Sequence, residues 1–203
     1  WRMNGWISID AIADGYLVGY NLYDNRIYCI GKGPSATEVS VSPKIAPECS
    51  EVLIEGKVTD QSAGQPNTPA IADEYMSAYM AFLYQQQTCP AQLRGVSVKL
   101  SAIRCSDGTK IEIGTVTSDG YGCFEQKWTP PSADTYKIIA TFSGSNSYGS
   151  SSAETALGVS ATEPEVQKPE TAQSSTTDIA IIAAVIIAIL IGIVNLFAIR
   201  KRP

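Results

Sequence analysis

The chain has 203 residues, with 15 Lys and Arg against 20 Asp and Glu and no histidine. A net charge of −5 speaks against a nucleic-acid or anionic-lipid binder, which needs a basic surface. The missing histidine removes Ser-His-Asp and Cys-His catalysis, and with no CxxC spacing among the five cysteines it leaves no zinc site to expect.

The first elements in chain order are three short strands, read at residues 6–13, 15–22 and 26–31, with turns at Asp14-Gly15 and Asp24-Asn25. About thirty residues of β-structure bury too little surface to fold alone. Small sheets of this kind are stabilised by packing on neighbours, as propeller blades are. The N-terminal segment WRMNGWISID has neither a basic n-region nor an apolar h-region. The expectation is therefore a longer parent chain with further sheets upstream. The segment Asp14–Ser35, DGYLVGYNLYDNRIYCIGKGPS, resembles the last repeat of quinoprotein-type β-propellers. In that repeat a DGxLYxxN strand precedes a DxxIYCxGKG strand; Val18 stands here where the first pattern has Tyr. The resemblance implies that residues 1–35 are the last blade strands, docked on an upstream propeller of the same chain.

Residues 36–160 read as a longer all-β module. Strands are expected at 39–46, 51–60, 96–103, 111–117, 122–128, 134–142 and 154–160. Val96, Val98 and Leu100 alternate with Ser97, Lys99 and Ser101; Phe124, Gln126 and Trp128 alternate with Glu125 and Lys127. Seven such strands separated by Gly, Pro, Ser and Asp turns predict an antiparallel β-sandwich. The stretch Gly114–Tyr148 resembles surface Ig-like and carboxypeptidase-regulatory-like modules, with GxxTxDxxGxF, then WxP, then GxYxIxAxFxGS. Asp134 stands where the last pattern often has Gly. The resemblance implies a binding, spacing or stiffening unit.

An insertion at about 68–88 interrupts the module. Pro69 and Pro90 bracket a helix expected from about Asp73 to Gln87, with Asp73 and Glu74 in the first turn, where the helix dipole favours negative charge. Tyr75, Tyr79, Phe82 and Leu83 form one apolar stripe, widened by Met76, Met80 and Tyr84. Such a helix either caps an open end of the sandwich, docks a partner, or lies between sandwich and propeller.

Cys105 with Cys123, and Cys49 with Cys89, are the candidate disulfides, with isolated buried thiols as the alternative. Asp107, Glu112 and Asp119 are the nearest thing to a carboxylate cluster. Asp107-Gly108 and Asp119-Gly120 are, however, hairpin-turn signatures, and the spaced DxDxD series of a calcium loop is missing. Trp128 before Thr129-Pro130-Pro131 reads as a core anchor, with ligand stacking as the alternative. Nucleotide-cradling glycine motifs are missing too; Gly31-Lys32-Gly33 is a turn before Pro34, and no cofactor is expected.

Residues 161–177, ATEPEVQKPETAQSSTT, compose an extended stalk. Ile179–Ile199 follows as 21 residues with Asn195 as the one strongly polar member, the length of a membrane-spanning helix. Arg200, Lys201 and Arg202 come directly after it. The positive-inside rule then places the tail, residues 200–203, in the cytoplasm and the bulk of the chain outside. Twelve basic residues against twenty acidic ones precede that tail, so the outer part carries a net charge of −8. The whole order resembles the C-terminal region of archaeal surface-anchored propeller proteins. It implies a mainly β, single-pass region that contacts membrane lipid and presents a larger surface protein for binding or adhesion to a protein or glycan, without catalysis of its own. The rival expectation is a tether for a quinone-dependent dehydrogenase-type propeller whose active site lies upstream.

Overall fold

The computed structural model describes residues 5–161. The stalk expected at 161–177 lies outside the described residues beyond Ala161, as do the span expected at Ile179–Ile199 and Arg200, Lys201 and Arg202. Among the described residues, no helix is long and apolar enough to cross a membrane.

The described chain is mainly β. It opens with β1 (Ile7–Ala13), β2 (Tyr16–Asn21) and β3 (Arg26–Ile30), an antiparallel meander in the order β1-β2-β3. Asp14 (φ 50°) with Gly15 (φ 81°) makes the first turn and Asn25 (φ 58°) helps close the second, the left-handed positions that these residue types tolerate. Cross-strand pairing places Ile12, Leu17 and Ile30 in one row and Ile9, Gly19 and Tyr28 in the next, all on one face. Ala11, Val18 and Cys29, and then Ser8, Tyr20 and Ile27, occupy the opposite face. Both faces keep apolar groups open: Ile9 is 58%, Ile12 73% and Ile27 76% exposed. The sheet therefore has no core of its own.

The remaining strands form two sheets around a shared core. The first holds β4 (Ser35–Ser42), β6 (Val52–Asp60) and β10 (Cys123–Trp128) in the order β10-β6-β4, with the short β7 (Thr68–Pro69) on the end of β6. The second holds β5 (Ile45–Pro47), β8 (Arg94–Arg104), β9 (Lys110–Asp119), β11 (Asp134–Phe142) and β12 (Ser151–Ser160) in the order β5-β12-β11-β8-β9. The single strand expected at 39–46 is thus two. The chain leaves one sheet after Ser42 and joins the other at Ile45, with Pro43, which has no N–H for a ladder, in the gap.

The alternation seen in the sequence builds the core. Val96, Val98 and Leu100 are buried with Ile54, Val58, Ile138 and Leu157, while Ser97 and Lys99 face out. Tyr136 at the start of β11 is fully buried, and its hydroxyl donates to the Ser132 carbonyl (2.9 Å) four residues upstream. Trp128 meets its ring edge-on at 5.4 Å between centroids. This pins the connection from β10 to β11, where the chain crosses between sheets.

The strand pairings define two ends. Ser35, Asp60, Arg94, Asp119 and Ser151 lie at a near end, and Ser42, Val52, Arg104, Trp128 and Ser160 at a far end. This overturns the disulfide expectation. Cys105 follows β8 at the far end while Cys123 opens β10 at the near end, and Cys49 follows β5 at the far end while Cys89 lies on the near-end return to Arg94. Even the six residues of β10 hold Cys123 roughly 17 Å from the far end, well beyond the ~7 Å that a disulfide can span between Cα atoms. All five cysteines are free and exposed, so the alternative of isolated thiols holds but their expected burial does not.

Candidate functional site

Helix α1 (Asp73–Gln85) rises from the near end. Ile71 pairs with Gly95 just before it, and Ala72 stays extended (φ −61°, ψ 144°), so the helix starts without a side-chain cap. It stops where Gln86 turns left-handed (φ 57°) and the Gln87 amide donates back to the Ala81 carbonyl (3.3 Å). The end comes two residues before the expected Gln87.

The six residues offered as a partner-binding stripe are divided by the packing. Tyr79 is buried and Met76 packs on the sandwich core. Tyr75, Met80 and Leu83 are half-buried, and Phe82 faces out with its ring 6.2 Å from that of Tyr79. Tyr84 meets Tyr28 of the small sheet edge-on at 6.2 Å. The helix therefore touches both the sandwich and the small sheet.

Asp73 does more than complement the helix dipole. Its carboxylate accepts from the Ser145 hydroxyl (3.0 Å), the Asn146 amide (2.9 Å), the Ser147 amide (3.1 Å) and the Ser147 hydroxyl (2.7 Å). Partial desolvation pushes its pKa up, but these donors outweigh it and hold the carboxyl below its usual value. The same loop is sewn to the linker from the small sheet. The Gly33 amide donates to the Ser147 carbonyl (2.8 Å), and the Gly149 amide donates to the Gly33 carbonyl (2.8 Å). A Cβ on Gly33 would come within 2.4 Å of the Ser62 hydroxyl, which would have to rotate away. Beneath the loop, Tyr148 is buried and its hydroxyl accepts from the Ile71 amide (3.4 Å). Burial pushes the Tyr148, Tyr79 and Tyr84 phenols up, so none ionises near neutral pH.

Two surface hollows flank this junction. A groove of about 610 Å³ runs from Asp73 and Glu74 past Arg94 over Lys99, Thr115, Thr117 and Thr141. A cleft of about 360 Å³ opens between Tyr23, Asp24 and Tyr28 on one side and Tyr84 on the other. In the larger groove the Ser145 hydroxyl meets the Asp73 carboxylate (3.0 Å), and that carboxylate is already occupied by the Asn146 and Ser147 donors. The carboxylates read from the sequence are apart and occupied: Asp107 accepts the Thr109 amide (2.9 Å) and pairs with Arg104 (3.3 Å), and Asp119 accepts the Tyr121 and Cys123 amides (both 2.8 Å). Glu112 pairs with Lys99 (2.6 Å). Among the described residues no three His, Cys, Asp or Glu side chains come together. In the small sheet, Asn21 is fully buried; its Oδ1 accepts the Trp6 (3.0 Å) and Tyr23 (3.1 Å) amides, while its Nδ2 has no partner among the described residues.

No family model matches the chain, and no curated protein matches its sequence. Among solved structures it is similar to a superoxide reductase (neelaredoxin) from Ignicoccus hospitalis, at 11% identity and a TM-score of 0.37 over 62% of this chain and 80% of that one. It is similar to the CARDB domain, in complex with di-metal ions, of a Pyrococcus furiosus protein, at 14% identity and a TM-score of 0.30 over 62% and 90%. A Paenibacillus cycloisomaltooligosaccharide glucanotransferase complexed with cycloisomaltoheptaose overlaps 64% of this chain at 17% identity and a TM-score of 0.36; the chain spans 15% of that enzyme's length. Likenesses this distant carry no argument about activity.

Proposed function

We propose that this chain is the non-catalytic, membrane-anchored presenting region of a larger surface protein. The small sheet is its last propeller-type blade, and the sandwich is an Ig-like spacer carried on the stalk. The supporting observation is the small sheet: both faces leave isoleucines open, Ile9 and Ile12 on one and Ile27 on the other. A blade between neighbours needs both faces apolar. The sandwich supports the Ig-like reading through its strand order and through Tyr136, whose hydroxyl returns to the backbone at the corner before its strand. The helix, latched at Asp73 and resting on Tyr28, serves this reading as a brace between blade and spacer.

Hydroxyl-radical footprinting tests it. Ile9, Ile12 and Ile27 are expected to be protected in the native, membrane-extracted protein and reactive in the isolated 203-residue chain. Equal reactivity in both preparations refutes the blade.

A further inference from the structure

The first and last strands of the sandwich, β4–β5 and β12, run in the same direction, from the near end to the far end, and are fastened along that length. At the near end the Ser35 hydroxyl donates to the Gly149 carbonyl (2.7 Å) and shares a hydrogen bond with the Ser151 hydroxyl (2.8 Å), and Thr37 shares one with Ser151 (2.7 Å). The Gly33 bonds to Ser147 and Gly149 continue the row upstream. At the far end β5 pairs in parallel with β12, Ile45 to Gly158, Ala46 to Val159 and Pro47 to Ser160. There the Gly158 amide donates to the Lys44 carbonyl (2.9 Å) and the Glu48 amide to the Ser160 carbonyl (2.8 Å). β4 is also held across eight residue pairs by β6.

The chain enters this assembly at the near end and leaves it at the far end. A pull between entry and exit drags β4 and β5 one way and β12 the other, along their own axes. Inter-strand hydrogen bonds lie across that direction, so they share the tension and break together. A pull applied at one end instead peels the same strands apart, one bond at a time.

We propose that the sandwich is a shear clamp: a module that holds when its two ends are drawn apart and yields when pulled from one end. The inference rests on the presenting-region reading for the source of the tension. The chemistry of the clamp is independent of it, since the strand pairing alone decides the response.

Single-molecule force spectroscopy on the full chain in detergent micelles tests the clamp. Handles at Pro34 and Ala161 load it end to end; handles at Pro43 and Ala161 load it from the far end. The end-to-end rupture force is expected to be several-fold higher at equal pulling speed, because forced unfolding follows the unfolding barrier along the pulled direction. Equal forces in the two geometries overturn the proposal. Ser151→Ala removes both hydroxyl ties and is expected to lower the end-to-end force while leaving the far-end force unchanged. An unchanged end-to-end force in that variant, with denaturant unfolding showing it folded, removes the near-end ties from the clamp. Protease accessibility in sealed vesicles separately tests the membrane sidedness, so a failed anchor and a failed clamp give different results.

Discussion

Asp73 and Ser147, 74 residues apart in the sequence, are joined by two hydrogen bonds, one from the Ser147 amide (3.1 Å) and one from its hydroxyl (2.7 Å) to the same carboxylate oxygen. Through them the first residue of the helix holds the loop that grips Gly33, the linker from the small sheet. One side chain thus ties three parts of the chain.

Replacing that carboxylate with an amide, Asp73→Asn, keeps the shape and removes the charge. A partly solvent-exposed latch of this kind is worth about 1 kcal/mol once water competition is allowed for. The folded-state pKa of Asp73 lies below its ordinary value. Its contribution is therefore full above the ordinary aspartate range near ~3.9 and disappears as the pH falls through the lowered value. Chemical denaturation at neutral pH should show the variant less stable than the parent, with the gap closing in acid. A gap that does not change with pH contradicts the latch.

Tyr136→Phe deletes a hydroxyl from a fully buried ring and leaves the Ser132 carbonyl without that donor. The expected cost is about 1–2 kcal/mol, seen as a lower melting temperature with unchanged far-ultraviolet dichroism. An unchanged melting temperature would mean that the corner does not need the bond.

Gly56 lies mid-strand in β6, between β4 and β10. A Cβ there would sit 2.2 Å from the Glu38 carbonyl oxygen and 2.3 Å from the Phe124 ring. Backbone on one side leaves no room to yield, so Gly56→Ala should lose about 3 kcal/mol or fail to fold. Soluble expression with near-parental stability would show the two strands further apart than described.

The five cysteines give a direct count. Alkylation of the folded protein without reductant should add five labels by mass, since every thiol is free and exposed. Three labels would mean one bridge and would restore a pairing that the two-ended geometry rejects.

How far the sequence announces this structure depends on the range of the interaction. Val96, Val98 and Leu100 declare their strand by alternation, and Asp14-Gly15 declares its turn by left-handed tolerance; both signals are local. The helix is legible from Pro69, Asp73 and its apolar stripe. The break at Pro43 has a local signal, a residue without an N–H. Asp73 shows the opposite case. The Ser145-Asn146-Ser147 run is a visible set of donors, but only the fold brings it to the helix. The cysteine pairs erred for the same reason, because spacing along the chain does not say at which end of a sandwich a residue emerges. Phe82 shared its stripe with Tyr79 but not its fate, since the stripe is wider than the surface it covers.

The central claim, that these residues serve a larger surface protein, is tested most directly by the intact mass of the native protein extracted from membranes. The account predicts a mass well above 21.7 kDa, beyond what glycans add. A mass near 21.7 kDa would contradict it and leave a small stand-alone sandwich with an unpartnered sheet.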